Sequence, residues 1–176
     1  ELGDKNNHID GIVIVKPLIE AAGEKLGFLP GDVEEKTAPW MMSFYYNMEL
    51  IIGKRRLQIL KENNIIQVMP LAFMRGITLS NKFVILDEAQ NATPEQIKMF
   101  VTRIGQYSKY IIAGDLEQSD IPNHKSGLED AIKRFAGVHG VGLASFKEKD
   151  VVRHSMVRRL LKRYKPSFNI LDEVSA

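Results

Sequence analysis

Apolar residues in this chain gather into short runs between longer polar stretches of helical pattern. Four runs, at residues 12–15, 65–69, 83–86 and 110–113, have the length and β-branched content of short buried strands. Helical spacing appears between them. Residues 40–60 have helical composition broken near Gly53. Thr93, Pro94 and Gln96 form an N-terminal signature, with Thr93 as cap, Pro94 at the first helical position and Gln96 completing a capping box. Ile97, Phe100, Val101 and Ile104 then recur on one helical face. Ser126 with Glu129 repeats the capping box, and Leu128, Ala131, Ile132 and Phe135 form the face behind it. Asp150 is placed to cap a last helix reaching about Tyr164. The remainder reads as loop at 1–10, a short helix and turns at 18–39, loop with one helical turn at 71–81, and a glycine-broken strand or hairpin at 138–146.

Strands alternating with helices predict an α/β fold, with a mostly parallel sheet covered by helices on both faces. Such a sheet binds ligands at the carboxyl ends of its strands. Two strands end there in polar groups. Phe83-Val84-Ile85-Leu86 runs into Asp87-Glu88, and the strand at 110–113 runs into Gly114-Asp115-Leu116-Glu117-Gln118. Neighbouring parallel strands would bring Asp87, Glu88, Asp115 and Gln118 to one edge. A strand that delivers two carboxylates is the device by which phosphoryl-transfer enzymes hold Mg²⁺ and orient a water. The same pattern also occurs as a solvated strand end, an ion pair or a helix cap.

Taken together, these stretches resemble the PhoH-like family of P-loop ATPases, relatives of superfamily 1 helicases. The resemblance spans about residues 12 to 164 and is carried by co-linear blocks. They are Gly23-Glu24-Lys25-Leu26-Gly27-Phe28-Leu29-Pro30-Gly31-Asp32, Met74-Arg75-Gly76-Ile77-Thr78-Leu79, residues 83–91 and Pro94 to Gly105. Gly114-Asp115 with Gln118, Asp120-Ile121-Pro122, Lys125-Ser126-Gly127-Leu128 and Asp150-Val151-Val152-Arg153-His154 complete the set. The resemblance implies a RecA/helicase-like P-loop NTPase fold that binds ATP and Mg²⁺. It implies Asp87 as the carboxylate that holds Mg²⁺ through water, and Glu88 as the residue that aligns the attacking water. Gln118, with Asp115, matches the helicase Gly-Asp-x-x-Gln element, whose amide can both donate and accept toward a γ-phosphate. Arg153 matches a phosphate-sensing or finger-type arginine. The family also implies coupling to nucleic acid, RNA above all, and assembly into a homo-oligomeric ring.

The chain departs from the family pattern in places. Ile77 stands where a second basic residue is usual, Glu117 where Thr is usual, and Ser119 where Ile is usual. One extra residue separates Pro17 from Gly23. Glu117 adds negative charge beside the site. No Gly-x-x-x-x-Gly-Lys-Ser/Thr occurs in these residues. That loop cradles phosphates with backbone N–H groups and supplies a lysine. In the family it lies upstream of the strand at 12–15, so the expectation is that it belongs to a segment outside this sequence. These 176 residues alone, read as one ATPase domain, are then expected to be inactive. A different class of function stays open: a non-hydrolysing nucleotide- or RNA-binding module that keeps the fold without the loop.

Composition narrows the picture only a little. A length of 176 residues suits one domain, and 44% hydrophobic with 26% charged residues is ordinary for a water-soluble fold. A net charge of +2 says little about partners, and the absence of cysteine excludes disulfides and thiolate metal sites. The longest apolar runs are too short to cross a bilayer, no secretory leader is visible in these residues, and a cytoplasmic location is expected.

Several residues carry two readings each. Arg153 shares the angular sector of Val152, Met156, Leu160, Leu161 and Tyr164, which suits an anion site or a structural pair with Asp150 or Asp172. Arg158, Arg159, Lys162, Arg163 and Lys165 read as a solvated basic face or a phosphate-backbone contact. Lys16, Arg75 and Lys125 lie near strand ends within reach of nucleotide or RNA. Trp40, Phe44, Tyr45 and Tyr46 can form core or interface, or stack on bases.

Overall fold

The computed structural model describes residues 9–17, 33–118 and 126–146, and beyond them 150, 152, 154–161 and 163. Four parallel strands form one sheet in the order β2-β1-β3-β4. They are β1 (Gly11–Lys16), β2 (Ile66–Pro70), β3 (Lys82–Leu86) and β4 (Lys109–Ile112). The helices are α1 (Val33–Ile52), α2 (Lys54–Glu62), α3 (Pro94–Val101), α4 (Gly127–Phe135) and α5 (Ser155–Leu161). The predicted α/β fold is therefore present. The chain divides into two compact units, one up to Val138 that holds the sheet and one from His139 that holds α5.

Alternation along the strands gives the sheet two apolar faces. Val15 pairs in register with Leu86, and Leu86 with Ile112, so these side chains share a face. On that face Val13, Val15, Val84 and Leu86 are fully buried in one core with Ile97 and Phe100 of α3 and Leu128 and Ala131 of α4. Ile14 and Ile66 are buried on the opposite face, where α2 lies against β2 and buries Leu57. Toward β4 that second face opens, and Ile111 is 41% exposed. The expectation that β4 is buried fails for this reason: it ends the sheet among the described residues and is covered on one side only.

The end of α3 differs in a similar way. Its cap is as predicted, with the Thr93 hydroxyl accepting from the Gln96 N–H at 3.3 Å and the Gln96 side-chain Oε1 accepting from the Thr93 N–H at 2.9 Å. The helix stops at Val101, however, and Ile104 leaves it to bridge to Leu79. Gly105 fits there because a Cβ would run into the Leu79 carbonyl and the Ser80 hydroxyl.

Elsewhere the helices correct the sequence reading. α1 begins at Val33, ahead of the predicted start at Trp40, and contains Pro39. Gly53, at φ 79, ends it as expected. Tyr45 packs edge-on to Phe44 and lies under the Lys61 ammonium at 3.9 Å, whereas Tyr46 is exposed. Ser126 precedes α4, yet its hydroxyl makes no cap bond and, though buried, has no partner among the described residues. Glu129 instead pairs with Lys133 one turn on, at 2.5 Å. Residues 138–146 form no strand and are exposed. α5 starts at Ser155, not after Asp150, and His154 Nδ1 accepts from the Met156 N–H at 3.2 Å. Val152, Met156 and Leu160, expected on a buried stripe, are exposed, Val152 at 98%.

Two expectations about stability follow from these contacts. Thr93→Ala removes a working cap and should cost about 1 kcal/mol in urea unfolding, whereas Ser126→Ala deletes an unbonded hydroxyl and should cost nothing measurable. A loss at Ser126 equal to that at Thr93 would contradict the cap assignment.

Tyr110 supplies a pH test. Its hydroxyl donates to the Arg103 carbonyl at 2.9 Å and its ring packs on Phe100 at 5.0 Å. Burial pushes its phenol up from 10.0 to about 12, against an opposing pull from the Arg103 charge. The protonated phenol therefore contributes stability that is fully present below pH 10 and is lost as pH rises through about 12. Unfolding curves over that range should show the loss in the natural protein and a smaller one in Tyr110→Phe. Identical alkaline profiles would remove Tyr110 as its source.

Candidate nucleotide site at the carboxyl edge of the sheet

Parallel pairing brings the ends of β1, β3 and β4 to one level. The Asp87 N–H donates to the Val15 carbonyl at 2.9 Å, and the Ala113 N–H donates to the Leu86 carbonyl at 2.8 Å. Lys16, Asp87 and Ala113 consequently stand side by side at the strand ends. The Ala89 N–H then donates to the Ala113 carbonyl at 2.9 Å and closes the β3 loop onto the β4 loop.

Asp87 is half-buried. One of its oxygens accepts the Glu88 N–H at 3.1 Å, and the other lies 3.1 Å from the Lys16 ammonium. Glu88 is exposed and sits in the left-handed region at φ 56, ψ 38. A non-glycine residue there costs of order 1 kcal/mol and is held only by its surroundings. Its carboxylate accepts from Gln90 Nε2 at 2.7 Å. The fold thus sends two adjacent carboxylates in different directions, Asp87 toward the end of β1 and Glu88 toward Gln90.

The β4 loop makes a compact turn. Asp115 accepts the Glu117 N–H at 3.0 Å with one carboxylate oxygen and the Gln118 amide at 2.8 Å with the other. The Gln118 N–H also reaches the Asp115 carbonyl at 3.1 Å, closing the short 3-10 turn of Leu116–Gln118. Glu117 contributes its backbone and leaves its side chain exposed, so the glutamate does not prevent the Gly-Asp-x-x-Gln turn. Gly114 opens the loop where a Cβ would overlap Gln90 Oε1 and lie 3.0 Å from the Ala89 nitrogen.

Of the residues singled out in the sequence, Asp87, Glu88, Asp115 and Gln118 come together at this edge. Arg153 and Lys125 lie outside the described residues. Arg75 is exposed just beyond the turn of Leu71–Met74. Two contributors were not assigned roles from sequence. Lys16 was noted for its position alone, and its partner is Asp87. Gln90 is the other, and its signal in the sequence is a long polar side chain close to the small residues Ala89 and Ala92.

The donor set limits what could bind. Among the described residues no group of three or more His, Cys, Asp and Glu side chains could hold a metal ion. A metal caged by protein ligands alone does not fit there. Mg²⁺ held by one carboxylate, phosphate oxygens and waters does fit, because it keeps several waters and needs few protein ligands. Asp87, Glu88, Asp115 and Glu117 also make the edge acidic, so a polyphosphate would need cations between it and the protein.

The Lys16–Asp87 pair gives this geometry a stability test. The Lys16 side chain is only 14% exposed, against 40% for Asp87. Asp87→Ala leaves a largely buried ammonium without its carboxylate and should cost about 1–2 kcal/mol, reduced from the fully buried case by solvent at Asp87. Adding Lys16→Met should recover part of that loss in urea unfolding. A double variant no more stable than Asp87→Ala would mean that the pair is not coupled.

Comparison with known proteins gives the family. The family model described as PhoH-like protein matches residues 4–165. A PhoH-like protein of Bacillus subtilis (strain 168) is 46% identical over 161 residues, which cover 91% of this chain and 50% of that protein. A PhoH-like protein of Synechocystis sp. is 46% identical over 165 residues, 93% of this chain and 50% of its own length. Protein PhoH of Escherichia coli (strain K12) is 41% identical over 159 residues, 89% of this chain and 45% of its own. The chain spans about half the length of the curated relatives it matches. With nearly its whole length inside the family match, and with the strand-end carboxylates and the Gly-Asp-x-x-Gln turn on one sheet edge, the chain belongs to the PhoH-like protein family.

Proposed function

We propose that the full-length protein is a Mg²⁺-dependent ATPase that works at this sheet edge. The observation that carries the reading is the convergence of Glu88, Asp115 and Gln118 on one buried amide, Gln90, beside the Lys16–Asp87 pair. Carboxylates at a strand end next to a Gln-bearing turn suit hydrolysis of a phosphoanhydride. In this reading the γ-phosphate meets the edge between Glu88 and Gln118. Glu88 accepts a hydrogen bond from a water, aligns it with the γ-phosphorus and takes up its proton as the new P–O bond forms and the bond to the ADP oxygen breaks. Gln118 contacts the γ-phosphate through its amide. Asp87 would hold Mg²⁺ through water, and the ion would supply neutralisation of β- and γ-phosphate charge. Arg153 would serve as the sensing or finger arginine, within the chain or from a neighbouring protomer.

Family membership supports the wider reading that hydrolysis is coupled to nucleic acid, with RNA favoured, in a homo-oligomeric ring in the cytoplasm. No helix among the described residues is long and apolar enough to cross a membrane.

The test is turnover by the full-length protein with and without RNA. Glu88→Gln should bind ATP nearly as well as the natural protein and lose at least about 10²-fold in kcat, because water alignment alone is removed. These 176 residues by themselves, which contain no Gly-Lys-Ser/Thr loop, should show no turnover. Near-normal kcat in Glu88→Gln would take Glu88 out of the mechanism. ATP binding without hydrolysis by the full-length protein would favour the binding-module alternative.

A further inference from the structure

Gln90 is the most deeply buried polar side chain at this edge, at 1% exposure, and its amide is used at both ends. Its Nε2 donates to Glu88 Oε2 at 2.7 Å and reaches the Gln118 carbonyl at 3.4 Å. Its Oε1 accepts the Asp115 N–H at 3.0 Å. One planar group therefore touches the β3 loop through a carboxylate and the β4 loop through two backbone groups. Burying an amide is costly unless its hydrogen bonds are made, so each of these contacts holds the others in place. Gly114 completes the seat, since any Cβ at that position would overlap Gln90 Oε1.

We propose that Gln90 is a positioning residue, which fixes the Glu88 carboxylate and links it to the Asp115–Gln118 turn so that the two loops respond to nucleotide as one unit. This rests on the ATPase reading above. Glu88 is exposed and in a left-handed conformation, and Gln90 Nε2 is the donor that its carboxylate meets among the described residues. Without the Gln90 donor its carboxylate could rotate through many orientations, and only some would suit a water in line with phosphorus. The donor occupies one oxygen and leaves the second for water. The Gln118 contact carries the other half of the proposal: a shift of the turn toward a γ-phosphate moves the carbonyl that Gln90 touches, and through Gln90 the carboxylate.

Two variants separate positioning from folding. Gln90→Glu keeps an acceptor for the Asp115 N–H, removes the donor to Glu88 and puts a like charge beside it. Gly114→Ala leaves every named side chain intact and pushes on Gln90 from behind. In the full-length protein both should lower kcat by about 10²-fold while the KM for ATP changes less than about threefold. In a Glu88→Gln background neither should lower the residual rate much further, because Gln90 acts through Glu88. Amide hydrogen exchange gives a readout independent of turnover. The Asp115 amide should be protected in the natural protein and in Gln90→Glu, and lose protection in Gly114→Ala. A kcat within threefold of normal in Gln90→Glu, or a KM effect alone, would overturn the positioning role. An unprotected Asp115 amide in the natural protein would overturn the linkage between loops, even if the protein hydrolysed no ATP and the ATPase reading itself had failed.

Discussion

Two backbone hydrogen bonds set the level at which β1, β3 and β4 end. They run from the Asp87 N–H to the Val15 carbonyl and from the Ala113 N–H to the Leu86 carbonyl. Everything at the carboxyl edge depends on that level. A slip of one residue in β3 would turn Val84 and Leu86 out of the core and carry Asp87 away from Lys16. The register is held because both faces of β1 are apolar and buried: Val13 and Val15 face α3 and α4, and Ile14 lies on the α2 side. The hydrophobic core thus does more than stabilise the fold. It sets the position of each polar group at the edge to within the reach of a hydrogen bond.

What the sequence disclosed was local or strongly periodic. The runs that became β1 and β3 are short, apolar and end in polar groups. The cap of α3 needs only Thr93, Pro94 and Gln96, so it was legible residue by residue. Asp87, Glu88, Asp115 and Gln118 could be placed on one edge because parallel pairing follows from alternating elements. What was hidden depends on neighbours distant in the chain. β4 carries an apolar run, Tyr110-Ile111-Ile112, as β1 does, and its exposure comes from its place at the end of the sheet among the described residues. Ser126 and Glu129 have the letters of a capping box, but Glu129 finds Lys133 instead. The local signature of Gln90, a long polar side chain close to Ala89 and Ala92, does not reveal its seat, which is shaped by Gly114 on another strand's loop.

Asp87 and Glu88 illustrate how neighbours in sequence acquire separate roles. The left-handed backbone at Glu88 breaks the alternation that would have continued β3. Asp87 keeps to Lys16 at the end of β1, while Glu88 turns to Gln90. A regular strand would have sent them to opposite faces, and a regular helix would have set them about a quarter turn apart. The kink costs some conformational energy, which the short turn of Ala89–Asn91 and its bond to Ala113 offset.

The missing Cβ at Gly114 has a consequence for how this family can diverge. With Gln90 in its present rotamer, a Cβ at position 114 would run into Gln90 Oε1, Leu128 Cδ2 and the Ala89 nitrogen. A shorter residue at 90 would remove the first of these contacts, leave the other two in place and abandon Glu88 and the Asp115 N–H. Neither site can be changed first without loss, so substitution must pass through an impaired intermediate. Across relatives the two positions should therefore be exchanged together or stay as they are, and their joint state in an alignment would report on the loop linkage without any measurement of rate.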